Sequence, residues 1–250
     1  TVVDNIAPTA VCQNITVNLD ATGNATITPA MINNGSSDNC TAAGALTLAL
    51  DRTAFTCADE GANTVTLTVT DASGNASTCS ASVMVVDNIA PTAVCQDITV
   101  NLDATGNATI TPAMINNGSS DNCTAAGALT LALDNTTFDC TNLGANTVTL
   151  TVTDASGNAS TCSASVTVVD NIAPTAVCQD ITVNLDATGN ATITPAMINN
   201  GSSDNCTAAG ALTLALDQTA FTCADEGTNT VTLTVTDASG NSSTCTSTVT

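Results

Sequence analysis

Along NTVTLTVTD at 63–71, Val65, Leu67 and Val69 alternate with Thr64, Thr66, Thr68 and Thr70. A period of two sends neighbouring side chains to opposite faces, so the segment predicts a strand with one buried face. ASGN at 72–75 carries turn residues, and STCSASVMVVD at 77–87 again has strand character, so the pair predicts a hairpin. Upstream, AVCQNITVNL at 10–19, NATITPAMI at 24–32, ALTLAL at 45–50 and TAFTC at 53–57 predict shorter strands, separated by the polar stretches DATGN, NNGSSDNC and DRT. Six or seven short strands joined by polar turns predict an all-β sandwich. No apolar 3.6 period persists beyond about one turn, and only PAMINNG at 29–35 has the makings of a helical turn. The threonine ladder is also a feature of flat ice-binding faces, but one such strand per repeat makes no array, and strand propensity accounts for it.

The pattern recurs. VVDNIAPTAVCQ stands at 2–13, 85–96 and 168–179, a period of 83 residues. Three domains are expected, at 1–86, 87–169 and 170–250. The chain opens in TVVD, in phase with MVVD at 84–87, and closes on STVT at the matching phase, so it is expected to be an excerpt of a longer periodic protein with any targeting segment outside it. The links DNIAP are short, and Pro91 and Pro174 each fix one dihedral and restrict the residue before it. An elongated, semi-rigid rod is expected, each unit adding roughly 35 to 45 Å at the usual strand rise.

Composition raises the question of what holds such small units together. There is no Trp or Tyr and one Phe per copy (Phe55, Phe138, Phe221), leaving Val, Ile, Leu and Ala to fill a core of marginal size. Twelve cysteines, four per copy at fixed spacing, answer it: Cys12, Cys40, Cys57 and Cys79, then Cys95, Cys123, Cys140 and Cys162, then Cys178, Cys206, Cys223 and Cys245. With no histidine and no CxxC pair, zinc is the weaker reading, and disulfides imply an extracellular or cell-surface setting.

Twenty-two acidic residues against the single Arg52 give a formal net charge of −21. That charge excludes nucleic acid and anionic membrane surfaces as partners, and no apolar run is long enough to insert in a bilayer. Without His, Lys or Tyr, and with the thiols consumed, no general base or activated nucleophile is in view, so the chain is read as no enzyme.

The run VTLTVTDASGNASTCSASVTVVDNIAP at 148–174, together with SDNC at 37–40 and the Phe-x-Cys of 55–57, resembles the hyalin repeat, an immunoglobulin-like module of extracellular proteins, and the resemblance covers every copy. The near identity of the copies is similar to that in giant surface adhesins and filaments of bacteria, gliding Bacteroidota among them. The resemblance implies adhesion or spacing and no catalytic residues. Four cysteines allow three connectivities per copy. An immunoglobulin-like topology places the first strand beside the last, which implies Cys12 with Cys79 and leaves Cys40 for Cys57. The same nesting pairs Cys95 with Cys162 and Cys123 with Cys140, then Cys178 with Cys245 and Cys206 with Cys223. Each bond would contribute roughly 3 to 4 kcal/mol on a chain-entropy estimate.

In such a sandwich SSDNC and the turn after Asp71 fall at the pole where the chain enters, with Asp4 and Asn5, while Asp20, Asn24, the Asp59-Glu60 loop and the exit link fall at the other. Each junction then gathers carboxylates and Asn carbonyls without a Lys or Arg to pair them, the ligand set of calcium. The candidates are Asp4, Asn5, Asp38, Asn39 and Asp71; Asp87, Asn88, Asp121, Asn122 and Asp154; and Asp170, Asn171, Asp204, Asn205 and Asp237. Turn chemistry favours the same residue types, so DASGN and DATGN also read as ordinary turns. The function expected is a structural repeat of a secreted bacterial surface filament or adhesin stalk, stiffened by disulfides and calcium, with neighbouring repeats as partners and self-association into fibres as a variant. The alternative is a multivalent module that binds a glycan or a cell-surface protein.

Overall fold

The structure, a computed structural model, describes residues 2–250. The first copy contains six strands, β1 (Ile15–Asn18), β2 (Asn24–Thr26), β3 (Thr47–Leu50), β4 (Ala54–Thr56), β5 (Gly61–Thr70) and β6 (Ala76–Val86), with one helical turn, α1 (Pro29–Ile32), between β2 and β3. The period-two ladder behaves as its chemistry requires. Val65, Leu67 and Val69 on β5 are buried while the intervening threonines are half exposed. β5 pairs with β6 antiparallel from Gly61 opposite Val85 to Thr70 opposite Ala76. β1 lies parallel to β6 and β3 antiparallel to β5, giving the order β1-β6-β5-β3. β2 and β4 form a separate antiparallel pair. Phe55 from β4 and Ile32 from α1 pack with Val65, Leu67, Val83 and Val85 in one core, and Cys12 and Cys79 lie against it. The chain is all-β with sandwich-like layers.

Three segments depart from the expected strands for local reasons. In 10–19 only Ile15–Asn18 is strand, and Cys12 makes an isolated bridge to Asn33. In 24–32 the strand stops at Thr26, and Pro29 opens α1, because its fixed φ suits a first helical turn and its missing N–H costs nothing there. In 53–57 the strand ends at Thr56. Asp59 Oδ2 accepts from the Thr56 N–H (2.9 Å) and hydroxyl (3.1 Å), which closes residues 57–59 into a tight 3₁₀ turn.

The chain divides into two compact units. One comprises Thr1–Cys95, Asn116–Ala132 and Leu150–Cys162; the other comprises Gln96–Ile115, Leu133–Thr149 and Ser163–Thr250. The long strands recur at Gly144–Thr153 and Ala159–Val169, and at Asn229–Thr236 and Ser242–Val249. In the third copy Ile193, Ile198, Phe221, Val231, Leu233 and Val235 rebuild the same core. Among the described residues no helix is long and apolar enough to cross a membrane.

Candidate metal centre

Turn chemistry sets the first carboxylate. Asp154 begins the turn between the two long strands of the second copy; its Oδ1 accepts from the Asn158 N–H (2.7 Å) and its Oδ2 from Asn158 Nδ2 (2.7 Å). The same Nδ2 donates to the Asp87 carbonyl (3.2 Å), which holds the link between the first two copies against the turn. The second carboxylate, Asp121, caps its own loop: its Oδ2 accepts from the N–H groups of Cys123 (3.0 Å) and Thr124 (2.8 Å). The third, Asp87, is 3% exposed, and its Oδ1 accepts from the Ile89 N–H (3.1 Å) and Asn122 Nδ2 (3.2 Å).

One oxygen from each of Asp87, Asp121 and Asp154 lies within 4.8 Å of the others. Asp87 Oδ2, Asp121 Oδ1 and Asn122 Oδ1 are buried with no hydrogen-bond partner among the described residues. Buried carboxylate oxygens without a partner are costly. Three like charges at this spacing repel by roughly 3 kcal/mol per pair at an effective dielectric of about 20. The one guanidinium is engaged elsewhere: Arg52 is ion-paired with Asp59 and lies 4.4 Å above the Phe55 ring. The hydrogen bond from Arg52, with the Thr56 N–H after it, brings the Asp59 pKa down to about 2. Calcium binds oxygen at 2.3–2.6 Å, so two of its ligands are at most about 5 Å apart, and the donor set fits that ion. Asp170, Asp204 and Asp237 repeat the cluster, with Asp170 Oδ2, Asp204 Oδ1 and Asn205 Oδ1 unpartnered. Asp4, Asp38 and Asp71 form a third, with Asp4 Oδ2 and Asp38 Oδ1 unpartnered. The N–H groups of Cys40 and Thr41 hold the Asp38 carboxyl below its ordinary pKa.

The candidate asparagines divide. Asn122 and Asn205 face their clusters. Asn5, Asn88 and Asn171 are exposed, and Asn171 turns its amide to Asn101 instead (2.8 Å). Asn39 is exposed and donates to Cys40 Sγ (3.0 Å). Asn75, Asn158 and Asn241, which brace the third carboxylate of each cluster, were not among the candidates, although each ends a DASGN turn. Glu60 also comes within reach of Asp87, and its Oε2 accepts from the Ser156 hydroxyl (3.0 Å).

Beside the Asp87/Asp121/Asp154 and Asp170/Asp204/Asp237 clusters runs a disulfide that corrects the within-copy nesting. Cys12 is bonded to Cys79, Cys95 to Cys162 and Cys178 to Cys245. Cys57, however, is bonded not to Cys40 but to Cys123 of the next copy, and Cys140 not to Cys123 but to Cys206. The pairs Cys40–Cys57, Cys123–Cys140 and Cys206–Cys223 therefore do not form, and Cys40 and Cys223 are exposed free thiols. The reason is placement. Cys40 follows Asp38 in the cluster with Asp4 and Asp71, whereas Cys57 lies against Gly23 and the incoming Asn122 carbonyl. Gly23, at φ 74°, leaves that room: a Cβ there would run into Cys57 Sγ and come within 3.1 Å of the Asn122 carbonyl oxygen.

No protein-family model matches the chain, and no curated protein matches its sequence. The hyalin-repeat resemblance rests on the quoted motifs alone. By fold the chain is similar to human CDH23 EC21-23 (13% identity, TM-score 0.45, 98% of this chain and 100% of that chain). It is also similar to mouse cadherin-23 EC22-24 (12%, 0.38, 97% and 98%) and to the protocadherin GammaB4 extracellular domain (15%, 0.37, all of this chain and half the length of that one).

Proposed function

We propose that the chain is a mechanical spacer, three extracellular modules at 1–86, 87–169 and 170–250 joined into a stiff rod by inter-copy disulfides and junction-bound calcium. The setting we infer is the stalk of a secreted bacterial surface filament or adhesin, a reading supported by the near identity of the copies. The observation that carries this reading is the coincidence, at Asp87/Asp121/Asp154 and again at Asp170/Asp204/Asp237, of unpartnered buried oxygens with a disulfide joining consecutive copies. A cation there would neutralise carboxylates drawn from a link, a loop and a turn, and so resist their separation. The covalent staple limits how far the same junction opens under load. Repetition then sets reach.

The test is non-reducing thermal unfolding in millimolar calcium and in excess chelator, with small-angle scattering for length. A site of about 10⁻⁴ M dissociation constant, filled at about fifty times that concentration, adds roughly 2 kcal/mol. The expected result is a calcium-dependent rise in midpoint, abolished by D38N, D121N and D204N together, and a rod of about 110 to 130 Å from the strand rise. An unchanged midpoint and length would reject the cation-bridged rod.

A further inference from the structure

The loop that delivers Asp38, Asp121 and Asp204 carries an asparagine followed by glycine in every copy, at Asn34-Gly35, Asn117-Gly118 and Asn200-Gly201. The side-chain amide of asparagine lies within reach of the backbone nitrogen of the next residue, so its durability depends on whether that N–H is engaged. At neighbouring asparagines it is. The N–H after Asn33 donates to the Val11 carbonyl (2.8 Å), and those after Asn39 and Asn88 donate to Asp38 Oδ2 (3.0 Å) and Asp87 Oδ1 (3.1 Å). Asn33 is guarded twice, since its Oδ1 also accepts from the Ser36 N–H (3.1 Å). By contrast the N–H groups of Gly35, Gly118 and Gly201 have no acceptor among the described residues, and the Asn34, Asn117 and Asn200 side chains are exposed and equally unbonded. The step is nevertheless pinned on both sides. The Asn34, Asn117 and Asn200 N–H groups donate to the carbonyls of Val11, Val94 and Val177 at 2.8, 2.9 and 2.8 Å. Beyond the glycine, the buried Ser36, Ser119 and Ser202 accept on Oγ from the N–H groups of the same three valines at 2.9 Å.

We propose that Asn34, Asn117 and Asn200 are self-modification sites, at which the folded chain converts the amide to aspartate and isoaspartate and thereby loosens the loop. The glycine nitrogen attacks the asparagine Cγ: a C–N bond forms, the Cγ–Nδ2 bond breaks, and ammonia leaves with the proton of the glycine nitrogen. Water then opens the cyclic imide. Opening at the former side-chain carbonyl gives aspartate, and opening at the backbone carbonyl gives isoaspartate, whose main chain runs through the old side-chain methylene. Water is the only co-reactant. Glycine favours the attack because no Cβ shields its nitrogen; φ is 82° at Gly35 and 83° at Gly118 and Gly201, and a Cβ there would meet nothing within 4 Å, so the surroundings leave the approach open. Either product adds a negative charge to a chain that already carries −21. Isoaspartate also adds a backbone atom between the two pins, and the longer path cannot satisfy both valine hydrogen bonds in their present register. This goes beyond the spacer reading and does not need the cation.

The experiment incubates the folded chain in mildly alkaline buffer with chelator, beside the same chain in denaturant and beside the folded triple variant N34Q, N117Q and N200Q, whose longer side chains close the ring far more slowly. Peptide mass spectrometry locates aspartate and isoaspartate at each time, and the non-reducing thermal midpoint is read on the same samples. The folded chain is expected to convert at Asn34, Asn117 and Asn200 before any other asparagine. Its midpoint is expected to fall as isoaspartate accumulates, while that of the triple variant holds. Conversion of another asparagine first, or intact amides at all three positions once the denatured chain has converted there, would overturn the proposal. So would a midpoint that does not move in the converted chain, or one that falls as far in the triple variant. The cation reading is tested separately, by the effect of calcium on the fresh chain.

Discussion

Glu60 and Leu143 occupy the same place in successive copies, and they make the two junctions chemically unequal. Glu60 adds a fourth carboxylate beside Asp87, whereas Leu143 presents an apolar side chain, 41% exposed, at the second junction. A solvent-facing carboxylate at about 6 Å from a divalent ion contributes about 1.4 kcal/mol in high dielectric, roughly tenfold in affinity. Calcium titration calorimetry on a D38N background, which removes the cluster with Asp4 and Asp71, should therefore resolve a tighter and a weaker junction site. E60L is expected to bring the first to the level of the second, and L143E to raise the second about tenfold by the same Coulomb estimate. Identical affinities on that background would place Glu60 outside the ion's field.

At the scale of elements, the turn after the first strand decides whether consecutive copies can be stapled. In the second copy this turn is Asp103 to Asn107: Asp103 Oδ1 accepts from the Thr105 and Asn107 N–H groups, and Gly106 takes the left-handed conformation that a side chain would strain. G106A places a methyl group against the Asn205 backbone as well as the sulfurs, and backbone cannot swing aside as a side chain can. Alkylation under denaturing, non-reducing conditions should find two free thiols in the unaltered chain, Cys40 and Cys223, and four in G106A, with Cys140 and Cys206 added. Two in both would show that the turn accommodates the methyl group. Much of this level is legible in the sequence. Period-two segments mark the long hairpin to within two residues because its inward face is uniformly apolar, and PAMI shows its helical turn through the proline. The staple is illegible while each copy is treated as closed, since a within-copy pairing then exhausts the cysteines. Yet two placements drawn from the same sandwich topology, SSDNC at the entry pole and the Asp59-Glu60 loop at the opposite one, already keep Cys40 and Cys57 apart. The choice among Asn residues is illegible for another reason: which amide faces the carboxylates depends on side-chain direction within a loop, and periodicity says nothing about that.

For the whole molecule, covalent connectivity can be read with a single cut. The sequence holds one Arg and no Lys, so trypsin can cleave only after Arg52, separating residues 1–52 from 53–250. The first fragment contains Cys12 and Cys40. Only Cys12 carries a disulfide, and its partner Cys79 lies in the second fragment. The cleaved chain should therefore run as one species on a denaturing, non-reducing gel and fall into two on reduction. C12S separates the connectivities. With Cys57 bonded to Cys123, nothing covalent ties 1–52 to the remainder, and the fragment should be released without reductant. A Cys40–Cys57 bond would retain it. Cleavage itself reports on the clamp at Arg52, whose side chain is paired with Asp59 and covers Phe55, so the cut should be slow in the folded chain and fast in denaturant. If the C12S fragments stay together until reduced, Cys40 has a partner across the cut, and the inter-copy staple from Cys57 to Cys123 fails.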